Sequence, residues 1–298
     1  AYLHWIDEGA DAFRIDTLKH MPHAFWKKFA DKIREKHPDF FMFGESYSYD
    51  ASFISQHTFA KNGSISVLDF PGQKAITAVF ENPARDYADI QSYLHLKDKR
   101  YNNPYELMTF YDNHDMQRMN ASENGFIDAN NWLFTSRGIP VIYYGSEIAF
   151  MSGTKEHAGN RNYFGEKNIE KAKTNSIHEK LSKIANLRKK TIALQKGVQV
   201  NLEFKKNHAE FYRIYEDEKI QQTALVILNK SDRAKTFTIS SLLSEGVWTD
   251  AFSQVQTRIQ SENKLRITVA AHGVSVYVLN QKNTNEQLRK KAKELMIK

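Results

Sequence analysis

No cysteine occurs among the 298 residues. That absence excludes a disulfide framework and thiolate metal sites, and it leaves the compartment open. No apolar run approaches the ~18 residues that a membrane-spanning helix needs. A basic face interleaved with aromatics, the footprint of a nucleic-acid binder, is also missing. The net charge is +7, yet residues 282–298 alone carry six basic and two acidic side chains, so the rest of the chain is close to balanced. The basic run reads as a solvated polar tail, either a marginal helix or without structure. No solenoid-type repeat is evident. No leader or charged n-region precedes the first strand signal, and the first residue is Ala1. What is present, 41% hydrophobic and 26% charged residues, suffices for one large domain or two unequal ones.

Apolar runs alternate with helical patterns as far as residue 195. Strands are expected over residues 11–15, 40–43, 65–70, 107–111 and 139–144. Helices are expected over 21–36, where Phe25, Phe29 and Ile33 recur on one face, and over 74–81, 86–96, 131–136 and 177–195. Unbroken apolar strands suit a sheet buried on both faces, and strands alternating with helices imply a parallel sheet or barrel. Residues 146–172 are polar and contain Gly153, Gly159 and Gly165, which suits a long functional loop. The pattern changes at Lys196-Gly197. Short alternating strands follow at 198–204, 210–215, 224–228, 236–239, 265–269 and 274–279, separated by turns such as Asn229-Lys230-Ser231-Asp232. They form a separate antiparallel β domain. The boundaries are therefore 1–196, 197–281 and the tail 282–298.

Three of the early strands end in an acid: Asp16, Glu45 and Asp115. A single acid past a strand also suits a helix N-cap. Three together suit a site, because loops at the carboxyl ends of parallel strands face one shared pocket. Cleaving a glycosidic bond with two carboxyl groups needs one as nucleophile and one holding a proton for the leaving oxygen. Arg14, two residues before Asp16, points to the same face of an extended strand. His114 and Asp115 share the turn after the fourth strand, where both can hydrogen-bond a hydroxyl-rich ligand.

These segments resemble known sequence regions. GADAFRIDTLKH (Gly9–His20) resembles the second conserved region of the alpha-amylase family of glycoside hydrolases, FMFGES (Phe41–Ser46) the third and FYDNHD (Phe110–Asp115) the fourth, in the family's order and spacing. GIPVIYYGSE (Gly138–Glu147) resembles its final barrel strand. Lys19-His20-Met21-Pro22 and Thr135-Ser136-Arg137-Gly138 are most similar to the branch of bacterial alpha-amylases and cyclodextrin glucanotransferases. The resemblance implies a retaining enzyme acting on α-1,4-linked glucan, with hydrolysis ahead of transglycosylation; a carbohydrate-binding homologue without chemistry is the reading from another class. It implies that Asp16 is the nucleophile, Glu45 the general acid/base, and Asp115 the acid holding hydroxyls of the distorted sugar. By the same resemblance Arg14 orients Asp16, His114 binds the same sugar, Lys19, His20 and Tyr47 match acceptor-side positions, and Arg161 matches a donor-side arginine. The backbone carbonyl of His20 matches a ligand of a structural calcium ion.

The resemblance also sets the expected architecture. The family's second region lies on the fourth strand of an eight-stranded barrel, so this chain is expected to hold strands four to eight of a TIM (β/α)8 barrel, followed by an antiparallel β-sandwich. The first three strands and most calcium ligands would then be missing, making the chain a carboxy-terminal fragment whose end strands lack neighbours. A secreted or periplasmic enzyme, monomeric when full length, with no nucleic-acid partner and no membrane span, completes the expectation.

Overall fold

The computed structural model describes residues 1–260 and 264–295. Five short strands, β1 (Ala12–Ile15), β2 (Phe41–Gly44), β3 (Ser66–Val67), β4 (Met108–Thr109) and β5 (Ile139–Pro140), run parallel. β1 pairs with β2 and β2 with β3, while β4 pairs with β5. A bridge between Leu68 and Met108 joins the two groups, so the strands stand side by side in chain order. The helices of this part of the chain are α1 (Tyr2–Asp7), α2 (His23–Arg34), α3 (Ala51–Ile54), α4 (Phe70–Glu81), α5 (Glu123–Thr135), α6 (Gly165–Ala172), α7 (Ser176–Lys190) and α8 (Ile192–Lys196). This is a partial barrel. Among the described residues β1 and β5 each have one side without a partner strand.

Several local expectations shift. α2 buries Trp26, Ala30 and Ile33, whereas Phe25 is 46% exposed. The apolar face is turned by one residue because the Trp26 indole donates to the Leu18 carbonyl at 2.7 Å and anchors the helix there. The strand expected over 139–144 is only two residues long. Val141 still donates to the Thr109 carbonyl at 2.8 Å, but among the described residues no further strand lies on the other side to extend the ladder. Segment 86–96 is helical as expected, but of the 3₁₀ type and confined to Tyr87–Tyr93. α5 begins eight residues before its apolar signal, capped by the Ser122 hydroxyl accepting from Gly125. The long helix at 177–195 breaks at Thr191 into α7 and α8.

The β domain is a sandwich. Its six-stranded antiparallel sheet has the order β11-β10-β13-β8-β7-β6, facing a two-stranded pair of β9 and β12. The strands are β6 (Val198–Lys205), β7 (His208–Glu216), β8 (Gln221–Asn229), β9 (Lys235–Ile239), β10 (Gly246–Asp250), β11 (Gln256–Ile259), β12 (Leu265–Val269) and β13 (Gly273–Leu279). Side chains alternate between two destinations. Tyr212, Leu225, Ile227 and Trp248 enter the core shared with Phe237 and Ile267 of the smaller sheet. Phe211, Val226, Leu228 and Val276 enter a second core with Trp132, Leu181 and Ile184 of the barrel helices. The large sheet is thus buried on both faces, and one apolar core crosses from barrel to sandwich. The residues read as a solvated tail contain helix α9 (Glu286–Leu295), whose Leu288, Ala292 and Leu295 are buried in the sandwich core. Three apolar residues at helical spacing suffice to dock an otherwise charged helix.

Three buried arginines hold the turn before β5 against both domains. Arg188 of α7 donates to the carbonyls of Phe134 and Gly138 at 3.0 and 2.7 Å. Arg213 of β7 donates to Thr135 and Ser136, and also to Gly197. Burial pushes the Arg213 guanidinium down to about 9. Arg137, in the turn itself, pairs with Asp69 at 2.8 Å with both side chains fully buried.

Candidate active site

The acids sit where parallel strands end. Glu45 directly follows β2, and its amide donates to the Ile15 carbonyl at 2.8 Å, continuing the ladder by one step beyond β1. Leu18 then donates back to the Glu45 carbonyl at 2.7 Å, so the loop carrying Asp16 is clasped to the residue carrying the second acid. Thr17 takes a left-handed conformation, φ 51°, to make this turn. Gly44 leaves room for it: a Cβ there would lie 2.6 Å from Leu18 Cδ2. Arg14 and Asp16 form an ion pair through Nη1 and Oδ1. The Asp16 side chain is 63% exposed, whereas Glu45 is 8% exposed. Two acids of different exposure thus stand on adjacent strands.

Lys19 and Tyr47 extend this group. The Lys19 ammonium donates to the Tyr47 carbonyl at 2.8 Å. The Tyr47 ring packs 4.5 Å from the Phe70 ring, and burial, with Tyr49 second, pushes its hydroxyl up to about 12. It remains a neutral donor across the ordinary pH range.

Asp115 belongs to a second group, on the turn after β4. Its amide donates to Asn113 Oδ1 at 2.8 Å, and its Oδ2 lies 2.9 Å from His114 Nε2. Arg161 pairs with its Oδ1. The turn is anchored by Asp112, which is buried and accepts from the Met119 amide and, at 2.7 Å, from the Ser146 hydroxyl. Burial raises the Asp112 carboxyl above the usual carboxylate range. A layer of Phe41, Phe43, Tyr47, Leu68, Phe70, Met108 and Phe110 joins the two groups through the sheet. Asp16, Glu45 and Asp115 therefore share the carboxyl end of one parallel sheet, the end at which barrel enzymes place their chemistry.

Asp69 shows what a strand-end acid does when it is not part of such a site. It follows β3, accepts from the Gly72 amide at 2.9 Å as the cap of α4, and is consumed by the Arg137 pair. Asp112 and Arg118 are not singled out by the sequence, and Asn160 only as the residue before the donor-side Arg161. Each is buried and bonded inside the loops that carry Asp115 and Arg161. The sequence signal, a polar residue among apolar ones such as Met116 and Met119, is too weak to isolate them.

The family described as alpha amylase, catalytic domain, matches residues 1–192. The chain belongs to the alpha-amylase family. A cyclomaltodextrin glucanotransferase of Bacillus sp. (strain 1-1) is 32% identical over 274 residues, covering 90% of this chain and 37% of that protein. An alpha-amylase of Streptomyces lividans is 34% identical over 238 residues, covering 66% of this chain and 26% of that protein. The crystal structure of an Anoxybacillus alpha-amylase superposes with a TM-score of 0.79 at 26% identity, covering 94% of this chain and 61% of the other. A cyclomaltodextrin glucanotransferase with a three-domain ABC distribution superposes with a TM-score of 0.76 at 27% identity, over 94% and 58% of the two chains. This alpha-amylase family chain thus spans a little over a third of the first of these relatives.

The calcium expectation can be tested against the side chains. His20 lies exposed at the end of a 3₁₀ turn, Leu18–His20. Calcium takes about six to eight oxygen ligands, and among the described residues no group of three His, Asp or Glu donors gathers at His20. The donor expected from His20 is its backbone carbonyl rather than a side chain, at the end of that 3₁₀ turn. The group of three that does occur, Glu203, His208 and Glu210, is on β6 and β7 of the sandwich. Lys235 already supplies its cation, 3.1 Å from His208 Nδ1, while His208 Nε2 lies 3.0 Å from Glu203. A cleft of about 1120 Å³ opens beside it.

Proposed function

We propose that this chain carries the catalytic acids of a retaining glycoside hydrolase that cleaves α-1,4-glucosidic bonds in starch-like glucans. The observation that carries the reading is the placement of Asp16, Glu45 and Asp115 at the carboxyl ends of β1, β2 and β4, with Arg14 against Asp16. In this reading Asp16 attacks the anomeric carbon through Oδ2, the oxygen that Arg14 leaves free. The C–O bond to the leaving sugar breaks as Glu45 gives its proton to that oxygen. Glu45 then takes a proton from water, whose oxygen displaces Asp16 and restores the anomeric configuration after two inversions. Asp115 and His114 hold hydroxyls of the reacting sugar, and Lys19, His20 and Tyr47 meet the leaving side. The Tyr47 ring offers an apolar face for a sugar ring.

A leaving group that needs no proton separates the two roles. With an α-glucosyl fluoride, Glu45→Gln should still release fluoride, whereas Asp16→Asn should release none, a loss of at least about 10³-fold. Release by Asp16→Asn at the parent rate would remove Asp16 from the nucleophile role. Proton NMR of the first-formed hemiacetal should show the α-anomer, and a β-anomer would overturn the retaining mechanism.

A second reading, glucan transfer, is favoured by the names of the relatives, many of which are glucanotransferases. Transfer differs only in that a sugar hydroxyl replaces water in the second step. Linear maltooligosaccharides from soluble starch would support hydrolysis; cyclic or elongated products would support transfer.

A further inference from the structure

Asp115 is reached by a set of contacts that its own strand does not provide. Arg118, three residues further on, is fully buried and has no salt-bridge partner among the described residues. Its guanidinium donates to the carbonyls of Tyr144, Gly159 and Asn160 at 3.0, 3.4 and 3.5 Å. It also lies 4.8, 5.0 and 5.3 Å from the ring centroids of Tyr143, Tyr144 and Phe150. A buried cation is tolerated only with such compensation. The three carbonyls come from the two ends of the loop after β5, so Arg118 closes that loop on itself. The Tyr143 hydroxyl, donating to the Asn160 carbonyl at 2.7 Å, adds a second tie.

The closed loop presents two side chains to the Asp115 turn. Asn160, wholly buried, accepts from the His157 amide at 3.0 Å and donates through Nδ2 to the His114 carbonyl. Arg161 donates through Nε to the same carbonyl at 3.0 Å and through Nη2 to Asp115 Oδ1. With His114 Nε2 on the other oxygen, each oxygen of the carboxylate is engaged once. A carboxylate has about four acceptor positions. One is then left on each oxygen, a spacing suited to two neighbouring hydroxyls of one pyranose ring.

We propose that Arg161 is a positioning residue that fixes the plane of the Asp115 carboxylate, delivered by the loop that Arg118 and Asn160 hold closed. Its two donors reach two acceptors of one turn, a fork that an ammonium cannot reproduce. The inference rests on the reading of Asp115 as the acid that holds the reacting sugar. It assigns Arg161 to the enzyme's own carboxylate rather than to the sugar.

The test uses Arg161→Ala and Arg161→Lys in the polypeptide as its gene encodes it, assayed on a soluble maltooligosaccharide. Misplacing Asp115 should lower kcat about 10²-fold in Arg161→Ala, with KM within about threefold of the parent, because the lost interaction matures in the transition state. Arg161→Lys should recover only part of that loss. Added guanidinium ion should restore part of the Arg161→Ala rate while leaving the parent rate unchanged. The Arg161 side chain is 57% exposed, so both variants should melt like the parent. A raised KM with kcat intact would make Arg161 a sugar ligand and overturn the proposal. Unchanged kinetics, or a loss that guanidinium does not relieve and that tracks a lowered melting temperature, would overturn it as well. A parent that binds and cleaves no glucan would overturn the reading of the three acids, and the positioning role with it.

Discussion

Replacing Asp69 by Asn keeps the side chain's shape and the oxygen that accepts the Gly72 amide, but leaves the Arg137 guanidinium without its carboxylate. Both members are fully buried. Removing one partner of a buried pair costs ~3–5 kcal/mol, because the remaining charge stays out of water. Arg137 cannot turn outward, since it also donates to the carbonyls of Tyr93, Leu94 and Pro104. Those carbonyls partly compensate the orphaned cation, which places the cost near the lower bound, ~3 kcal/mol. The cap of α4 survives, so its ~1 kcal/mol is not added. At ~2–4 °C per kcal/mol for a chain of this size, the melting temperature should fall by ~6–12 °C. The damage should be local to the acid-bearing sheet, because the Asp69 amide also ties β3 to β4 through the Met108 carbonyl at 2.9 Å. Urea denaturation of Asp69→Asn, Arg137→Met and the double variant would close the cycle. The double variant should lose at least ~1.5 kcal/mol less than the two singles together, the coupling expected of a contacting charged pair. A loss below ~1 kcal/mol in Asp69→Asn, or strict additivity, would refute the claim that this pair holds the sheet.

Two further outcomes follow from the sandwich. Leu288→Ala should cost ~2–5 kcal/mol, the range for a buried leucine, because Leu288 is fully buried under α9; a cost near zero in urea denaturation would return residues 282–298 to a solvated tail. Glu210 is held up at about 7, first by burial and then by Glu203 opposite. Its folded value lies above the unfolded one, so the folded state binds the extra proton between about 4.5 and 7, and stability falls as pH rises through that window. Glu210→Gln should therefore gain on the parent as pH rises from about 5 to about 8. Denaturation midpoints that keep a constant difference over this range would refute the assignment.

Parts of this architecture were legible because their signals are local. The alternation of apolar runs with helical periodicity marked five parallel strands, and the switch near Gly197 to short alternating runs marked the sandwich. β10 and β11 were missed, since Gly246–Asp250 and Gln256–Ile259 carry polar residues at half their positions and bury only Trp248 and Ile259 deeply. For α9 a marginal helix was one of two open readings, and only its docking was missed, for a related reason: a docked helix needs only one apolar stripe, and in a lysine-rich segment three residues look like noise. At the site, the strand-end position of an acid was visible in the sequence, but not which acids are spent on structure. Asp69 and Asp16 read alike along the chain, yet one meets a buried arginine from 68 residues away and the other meets Arg14 beside open solvent.

The sequence by itself determined which strand ends carry an acid and the family to which the chain belongs, because strand periodicity and the short motifs around Asp16, Glu45 and Asp115 are encoded within a few residues. Tertiary structure alone decided which charges pair, which residues are buried, and how Arg118, Asn160 and Arg161 converge on Asp115. Those contacts join residues more than forty positions apart. They depend on where separate loops come to rest over a common sheet, and no local pattern of residues specifies that.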